Sequence, residues 1–177
     1  MENGWTALQV AAHYKHLDIA QLLVEDGAKL DVNDGLDGKT PLHIAVEAGN
    51  TKLVRMLLKH NANPNMPALR DAPIHTAVHS ESQDILKLLL DAGAVTELLN
   101  GNGETPLIIA AGKGNISIAK YLLNLEADAD SSKAKFSSPL LAACRKGHLD
   151  MAALLLKYGA NIDKADAEGN TPLFLAV

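Results

Sequence analysis

Histidines are the residues whose type and spacing come nearest to a chemical site in this chain of 177 residues. Of the seven histidines, His75 and His79 stand four residues apart, which places both imidazoles on one face of a helix, as in many zinc sites. No HExxH sequence and no third ligand accompany this pair. The pattern therefore favours ordinary structural roles, and we expect no metal and no cofactor.

Two other stretches invite a catalytic interpretation. The sequence from Gly101 to Glu104 reads Gly-Asn-Gly-Glu, like a glycine-rich phosphate loop, but no Lys-Ser or Lys-Thr follows it. No serine lies in a nucleophile elbow, and no paired carboxylates suggest a catalytic cleft. We therefore predict that the chain is not an enzyme.

The elements that position these residues begin with a short helix at Thr40-Pro41. Thr40 can accept a backbone N–H as the N-cap, and Pro41 suits the first helical position because its missing N–H needs no partner. Gly49-Asn50 ends this helix after about two turns. The apolar residues from Leu53 to Leu58 then predict a second helix, whose buried stripe is too wide for one partner helix to cover.

The same pattern recurs along the chain. Prolines follow Pro41 at steps of 32, 33, 33 and 33 residues, at Pro73, Pro106, Pro139 and Pro172, and Thr6-Ala7 takes this place at the front. A period near 33 with a TPLH-like opening is typical of ankyrin repeats. The chain resembles that family from residue 3 to residue 177 through the copies GKTPLHIAVEAGN, GETPLIIAAGKGN, SSPLLAACRKGH and GNTPLFLAV.

The resemblance implies an all-α ankyrin-repeat solenoid of helix-turn-helix units linked by β-hairpin loops, L-shaped in section. We expect one array over 1–177, with approximate repeats 1–32, 33–66, 67–99, 100–130 and 131–163 and a partial repeat 164–177. Because neither terminal repeat has a polar cap, we expect an excerpt of a longer array. The family also implies that His43 and His75 hydrogen-bond between adjacent repeats.

Composition limits the classes of function. The net charge of −5 disfavours nucleic acid, and no apolar run approaches the roughly 20 residues of a membrane-spanning helix, so we expect no membrane insertion. The single cysteine, Cys144, excludes an internal disulfide and suits a reducing compartment, so a cytoplasmic location is expected, with the nucleus left open. Its position corresponds to small apolar residues in the other repeats, which predicts a buried spacer. We expect a monomer.

The family implies a non-catalytic protein-protein interaction module, an adaptor or scaffold that binds a protein or peptide on a concave face of hairpin tips and first helices. Two alternatives stay open, namely a mechanical spacer and a regulatory repeat segment of a larger enzyme or channel. The predicted contact residues are Trp5, His13, Tyr14, Lys39, Glu47, Leu69, Asp71, His79, Asn102, Glu104, Lys113, Lys135, Phe136, Arg145 and Lys146.

At three places on that face, the sequence allows either a partner contact or a different role. Trp5 lies two residues before the position of the repeated proline, where the other repeats have polar residues. It is either an anchor for a partner or packs on a further repeat. Phe136, at a turn tip, either contacts a partner or lies on a neighbouring hairpin. Arg145 and Lys146, with Lys133 and Lys135, are either a solvated basic surface or a site for an acidic peptide.

The third repeat is the irregular one, because Arg70-Asp71-Ala72-Pro73 lacks both the turn glycine and the threonine cap. We predict that the backbone amides of residues 64–73 exchange with deuterium faster than those of the other hairpins. Hydrogen-exchange mass spectrometry measures this, and equal protection of all the hairpins would contradict the prediction.

Overall fold

The computed structural model describes residues 4–33, 35–131 and 138–176. Within these ranges the regular elements are helices, without any β-strand. The helices are α1 (Ala7–His13), α2 (Leu17–Glu25), α3 (Pro41–Glu47), α4 (Thr51–Lys59), α5 (Pro73–His79), α6 (Gln83–Asp91), α7 (Pro106–Lys113), α8 (Ile116–Asn124), α9 (Pro139–Arg145), α10 (Leu149–Lys157) and α11 (Pro172–Leu175). The expected all-α class and the helix-turn-helix units are confirmed.

The chain divides into two compact units, Met1–Val95 with α1 to α6 (unit 1) and Thr96–Val177 with α7 to α11 (unit 2). In unit 1, α1, α3 and α5 contact one another in succession, and so do α2, α4 and α6. In unit 2, α9 contacts α7 and α11, and α8 contacts α10. Each unit therefore consists of a layer of first helices and a layer of second helices.

Capping begins the helices as expected from the sequence. Thr105 Oγ1 accepts a hydrogen bond from the amide of Ile108 at 3.3 Å, with Pro106 at the first helical position. The second helix of the same repeat is capped by Asn115, whose Oδ1 accepts from the amide of Ile118 at 3.0 Å. These bonds satisfy amides that would otherwise have no partner at a helix start.

A column of alanines lies where neighbouring first helices meet. Ala45, Ala77, Ala110 and Ala143 are 0% exposed and Ala11 is 2% exposed, while the sixth member of the column, Ala176, is exposed. On the second helices a matching column of leucines is 0% exposed, at Leu57, Leu89, Leu122 and Leu155. Small side chains on one layer and large ones on the other let successive helix pairs pack closely.

Within the described residues, the loops between repeats contain turns and no strands, where the family pattern led us to expect β-hairpins. Asn100 Oδ1 accepts hydrogen bonds from the amides of Asn102 and Glu104, both at 2.9 Å. Asp166 Oδ1 does the same for Glu168 and Asn170, at 3.0 and 2.9 Å. A side-chain oxygen that accepts two amides of its own turn holds the loop tip without a strand partner.

Glu126 ends α8 in the left-handed conformation, with φ of 62°, at the position that glycine takes after three other second helices. A side chain there costs free energy that glycine avoids, although glycine also gains entropy in the unfolded chain. We predict that Glu126→Gly leaves the free energy of unfolding unchanged or raises it by up to about 1 kcal/mol, as measured by urea titration.

The opposite substitution is the control. Gly114 also has a positive φ, and a Cβ added there would lie 2.9 Å from His148 Nδ1, so Gly114→Ala should destabilise the protein. A loss of stability in Glu126→Gly comparable with that of Gly114→Ala would show that the glutamate contributes a favourable contact at this helix end.

Candidate functional site

A groove of about 290 Å³ lies in unit 1 between the loop tips and the first helices of the second and third repeats. We call it the unit 1 groove, and it is lined by Asp37, Lys39, His43, Glu47, Ala68, Leu69, Arg70, Asp71 and Thr76. The two loop tips are joined directly, because the amide of Leu69 donates to the carbonyl oxygen of Asp37 at 2.7 Å. Four predicted contact residues, Lys39, Glu47, Leu69 and Asp71, thus meet in one place.

The predicted residues of unit 1 also contact each other in a recurring pair. In each of the three repeats, the loop residue two positions before the first helix faces the last residue of that helix. Trp5 lies edge-on to His13 with ring centroids 5.1 Å apart. Lys39 Nζ lies 3.0 Å from Glu47 Oε1, and His79 Nε2 lies 3.7 Å from Asp71 Oδ2. Sequence reasoning placed these residues on one face but did not predict their pairing.

The charged lining of the unit 1 groove has a small excess of carboxylates. Lys39 bridges two of them, since its Nζ is 3.0 Å from Glu47 and 3.7 Å from Asp37. Asp71 and Arg70 complete the charged lining. Three carboxylates therefore face two cationic side chains, one of which is already held in an ion-pair bridge.

Aromatic rings cluster at the first repeat. The His13 and Tyr14 rings are edge-on with centroids 5.0 Å apart, and Tyr14 stacks on His16 at 6.1 Å. Tyr14 is 64% exposed, whereas Trp5 is half-buried against His13. The structure thus gives Trp5 a ring contact within its own repeat, a contact that neither of our two alternatives for Trp5 foresaw.

The predicted residues of unit 2 are more dispersed. Glu104 Oε2 accepts from Asn100 and, at 3.4 Å, from Asn102, so both contact residues of this loop take part in its internal bonds. Lys113 ends α7 with an exposed side chain, and Lys146 follows α9 and is also exposed. Lys135 and Phe136 lie outside the described residues.

Arg145 has a partner that sequence reasoning missed. Its guanidinium donates to Asp166 Oδ2 at 3.1 Å, and the Asp166 side chain is only 3% exposed while that of Arg145 is 46% exposed. The positive charge expected for the fifth repeat is therefore partly neutralised by the following repeat. Asp166 lies 21 residues downstream, and only its position in the next repeat could have indicated the pairing.

The histidines of the TPLH position cap their own helices. His43 Nδ1 accepts from the amide of Thr40 at 3.1 Å, and His75 Nδ1 accepts from the amide of Ala72 at 3.2 Å. Gln9 holds this position in the first repeat, where its Nε2 donates to the carbonyl oxygen of Lys39 at 2.8 Å. Gln9 of the first repeat thus makes a contact with the next repeat, of the kind that the family implies for the histidines.

Other reactive groups in the described part of the chain do not form a site. Burial raises the pKa of the Cys144 thiol above its usual 9.0, so it stays protonated and is a poor nucleophile. Among residues 4–33, 35–131 and 138–176, no three His, Cys, Asp or Glu side chains are grouped as metal ligands. Within the same ranges, no helix has both the length and the apolar character needed to cross a bilayer.

Paired helices in thin layers, with variable loop tips beside them, define a repeat protein. Ankyrin-repeat family models match residues 1–68 and 67–133 (three copies) and residues 140–177 (many copies). The chain therefore belongs to the ankyrin-repeat family.

Individual relatives agree with this assignment. The mouse B-cell lymphoma 3 protein homolog is 34% identical over 116 residues, which is 65% of this chain and 26% of that protein. The human transient receptor potential cation channel subfamily A member 1 is 35% identical over 112 residues, 61% of this chain and 10% of the channel. The chain thus matches about a quarter or less of the length of these relatives.

A solved structure resembles almost the whole chain. The crystal structure of the ankyrin repeat domain of Bcl-3, described as a member of the IkappaB protein family, superposes with a TM-score of 0.86 at 30% identity. The match covers 97% of this chain and 79% of the Bcl-3 chain. Ankyrin repeats are in general protein-protein interaction modules.

The Asp166 carboxylate yields a prediction about acid stability. The side-chain and backbone hydrogen bonds from Asn170, the backbone hydrogen bond from Glu168 and the charge of Arg145 outweigh burial and hold its pKa below the ordinary value of 3.8. Because the pKa is lower when folded, the carboxylate stabilises the fold above pH 3.8 and loses this contribution as the pH falls through the lowered value.

We therefore predict that Asp166→Asn is less stable than the unmodified chain at neutral pH and that the difference shrinks in acid. Urea midpoints at pH 7 and near pH 3 measure this. Asp163→Asn, an exposed aspartate on the same connection, is the control and should show a much smaller difference at pH 7. An Asp166→Asn deficit of equal size at both pH values would contradict the role of the charge.

Proposed function

We propose that this chain is a non-catalytic protein-binding module and that its partner lies on the loop tips and first helices. The observation that carries the proposal is the unit 1 groove, where exposed side chains surround a cleft whose two rims are joined by the Leu69 to Asp37 hydrogen bond. A groove that is formed before binding loses little conformational entropy when a partner enters.

The proposed contacts fall into two groups, one in each unit. In unit 1 they are Trp5, His13, Tyr14, Lys39, Glu47, Leu69, Asp71 and His79. In unit 2 they are Asn102, Glu104, Lys113, Arg145 and Lys146, to which Lys135 and Phe136 stay added as sequence predictions. An acidic peptide segment at the fifth repeat is supported by exposed Lys146, while Arg145 would have to share its guanidinium with Asp166.

The role of the whole protein is a further proposal, for which we favour an intracellular, monomeric adaptor or scaffold. The match to about a tenth of a cation channel keeps the regulatory alternative in view, because there the matched segment is a small part of a larger chain. The spacer alternative differs from both, since it predicts that changes on the proposed face alter no binding.

Affinity purification with quantitative mass spectrometry tests the proposed face. The variant Tyr14→Ala with Leu69→Ser removes two side chains that are 64% and 70% exposed on that face. The matched control is Ile19→Ala with Leu22→Ala, which removes side chains on α2 that are 52% and 66% exposed.

We predict that partners bind the face variant about tenfold or more weakly and bind the control as they bind the unmodified chain. Partners that are retained by the face variant and lost from the α2 variant would place the binding surface on the second helices. Partners that survive both changes would favour the spacer.

A further inference from the structure

We propose that the unit 1 groove accepts a basic segment of the partner, with an arginine or lysine against the carboxylates of Glu47 and Asp71 and a neighbouring apolar side chain on Leu69. This inference rests on the proposed function and specifies the chemistry of the partner at one place on the binding face.

The ion pairs of the groove determine which charge can enter. Lys39 already contacts Glu47 at 3.0 Å and Asp37 at 3.7 Å, and its side chain is 30% exposed. An incoming carboxylate would compete with Glu47 for this lysine and would approach three acidic side chains, with Arg70 as the other cationic side chain of the lining. An incoming cation can bind the carboxylates from the solvent side and leave the Lys39 bridge in place, because the Glu47 side chain is still 42% exposed. The Asp71 side chain is 27% exposed, with His79 Nε2 at 3.7 Å on one side of it.

The charge of the surrounding unit favours the same partner. Residues 1–95 contain eight Lys and Arg against twelve Asp and Glu, a net charge of −4, whereas residues 96–177 contain eight against nine. A field of this sign raises the rate at which a basic segment reaches the surface and opposes an acidic one. A basic partner segment is thus attracted to unit 1 before it makes any specific contact.

Leu69 provides the apolar contact for the proposed ligand. This side chain is 70% exposed at the rim of the groove, yet its backbone is fixed by the hydrogen bond to Asp37. When a partner covers this apolar surface beside the charged cleft, the burial stabilises the complex. The aliphatic stem of an arginine or lysine, or the residue next to it, can do so while the cationic group reaches the carboxylates.

Peptide display on the chain of 177 residues tests the proposal directly. The probe is a library of random peptides of about twelve residues, long enough to cross the groove in extended form. The selection is run against three proteins: the unmodified chain, the groove variant Glu47→Gln with Asp71→Asn, and the control variant Glu25→Gln with Asp91→Asn. The control removes the same charge from the last residues of α2 and α6, which do not line the groove.

We expect the unmodified chain and the control to enrich peptides in which Arg or Lys neighbours an apolar residue. The most enriched peptide, measured by fluorescence anisotropy, should bind the groove variant about three- to tenfold more weakly and should weaken further as salt rises. Circular dichroism of each variant verifies that it folds. The peptide consensus selected by the unmodified chain tests the proposal even where a variant fails to fold.

Three results would each overturn the inference. The consensus could be acidic or uncharged, basic peptides could bind the groove variant as tightly as the control, or no peptide could be enriched over an empty surface. These results differ from failure of the proposed function. If partners are lost from the Tyr14 and Leu69 variant while the peptide consensus is not basic, the binding face stands and its assigned ligand is wrong. If partners survive that variant, the binding face itself is wrong.

Discussion

Close packing of one first helix on the next is the interaction on which each unit depends. The first helices α1, α3, α5 and α9 have seven residues each, well below the roughly 12–15 at which an isolated helix becomes marginal in water. They persist because buried alanines such as Ala45 and Ala77 let backbones approach, while leucines of the second helices fill the layer behind. Stability therefore comes from neighbours in sequence, as expected for a repeat protein.

Hydrogen bonds between successive repeats then fix the loops whose side chains form the proposed binding face. Asp31 Oδ1 accepts from the amide of Asn63 at 3.0 Å, and Asn65 Oδ1 accepts from the amide of Val95 at 2.9 Å. In unit 2, Asp130 Oδ1 accepts from the amide of Asn161 at 3.3 Å. Because the helices and these bonds recur with little change, the side chains before each first helix are free to differ. A uniform scaffold thus presents a different pair of contact residues in each repeat of unit 1.

Much of this arrangement follows from the sequence, and the remainder depends on side-chain geometry. Proline spacing and threonine caps predicted where first helices begin, and the resemblance to ankyrin repeats gave the all-α class. The expected β-hairpins proved to be turns, which Asn100 fixes after α6 and Asp166 fixes after α10. The Lys39 to Glu47 pair and the Arg145 to Asp166 pair were not foreseen, because a column of residue types does not say which side chains reach each other. The left-handed conformation of Glu126 has no signal in its residue type, since glutamate has no preference for it.

Urea unfolding of Ala110→Leu tests most directly whether close packing of the first helices holds the structure together. Ala110 is 0% exposed, and Ala153, on the exposed side of α10, provides the control Ala153→Leu. The account predicts that Ala110→Leu lowers the free energy of unfolding by about 1–3 kcal/mol and that Ala153→Leu changes it by less than about 0.5 kcal/mol. Equal unfolding midpoints for Ala110→Leu and the unmodified chain would contradict it.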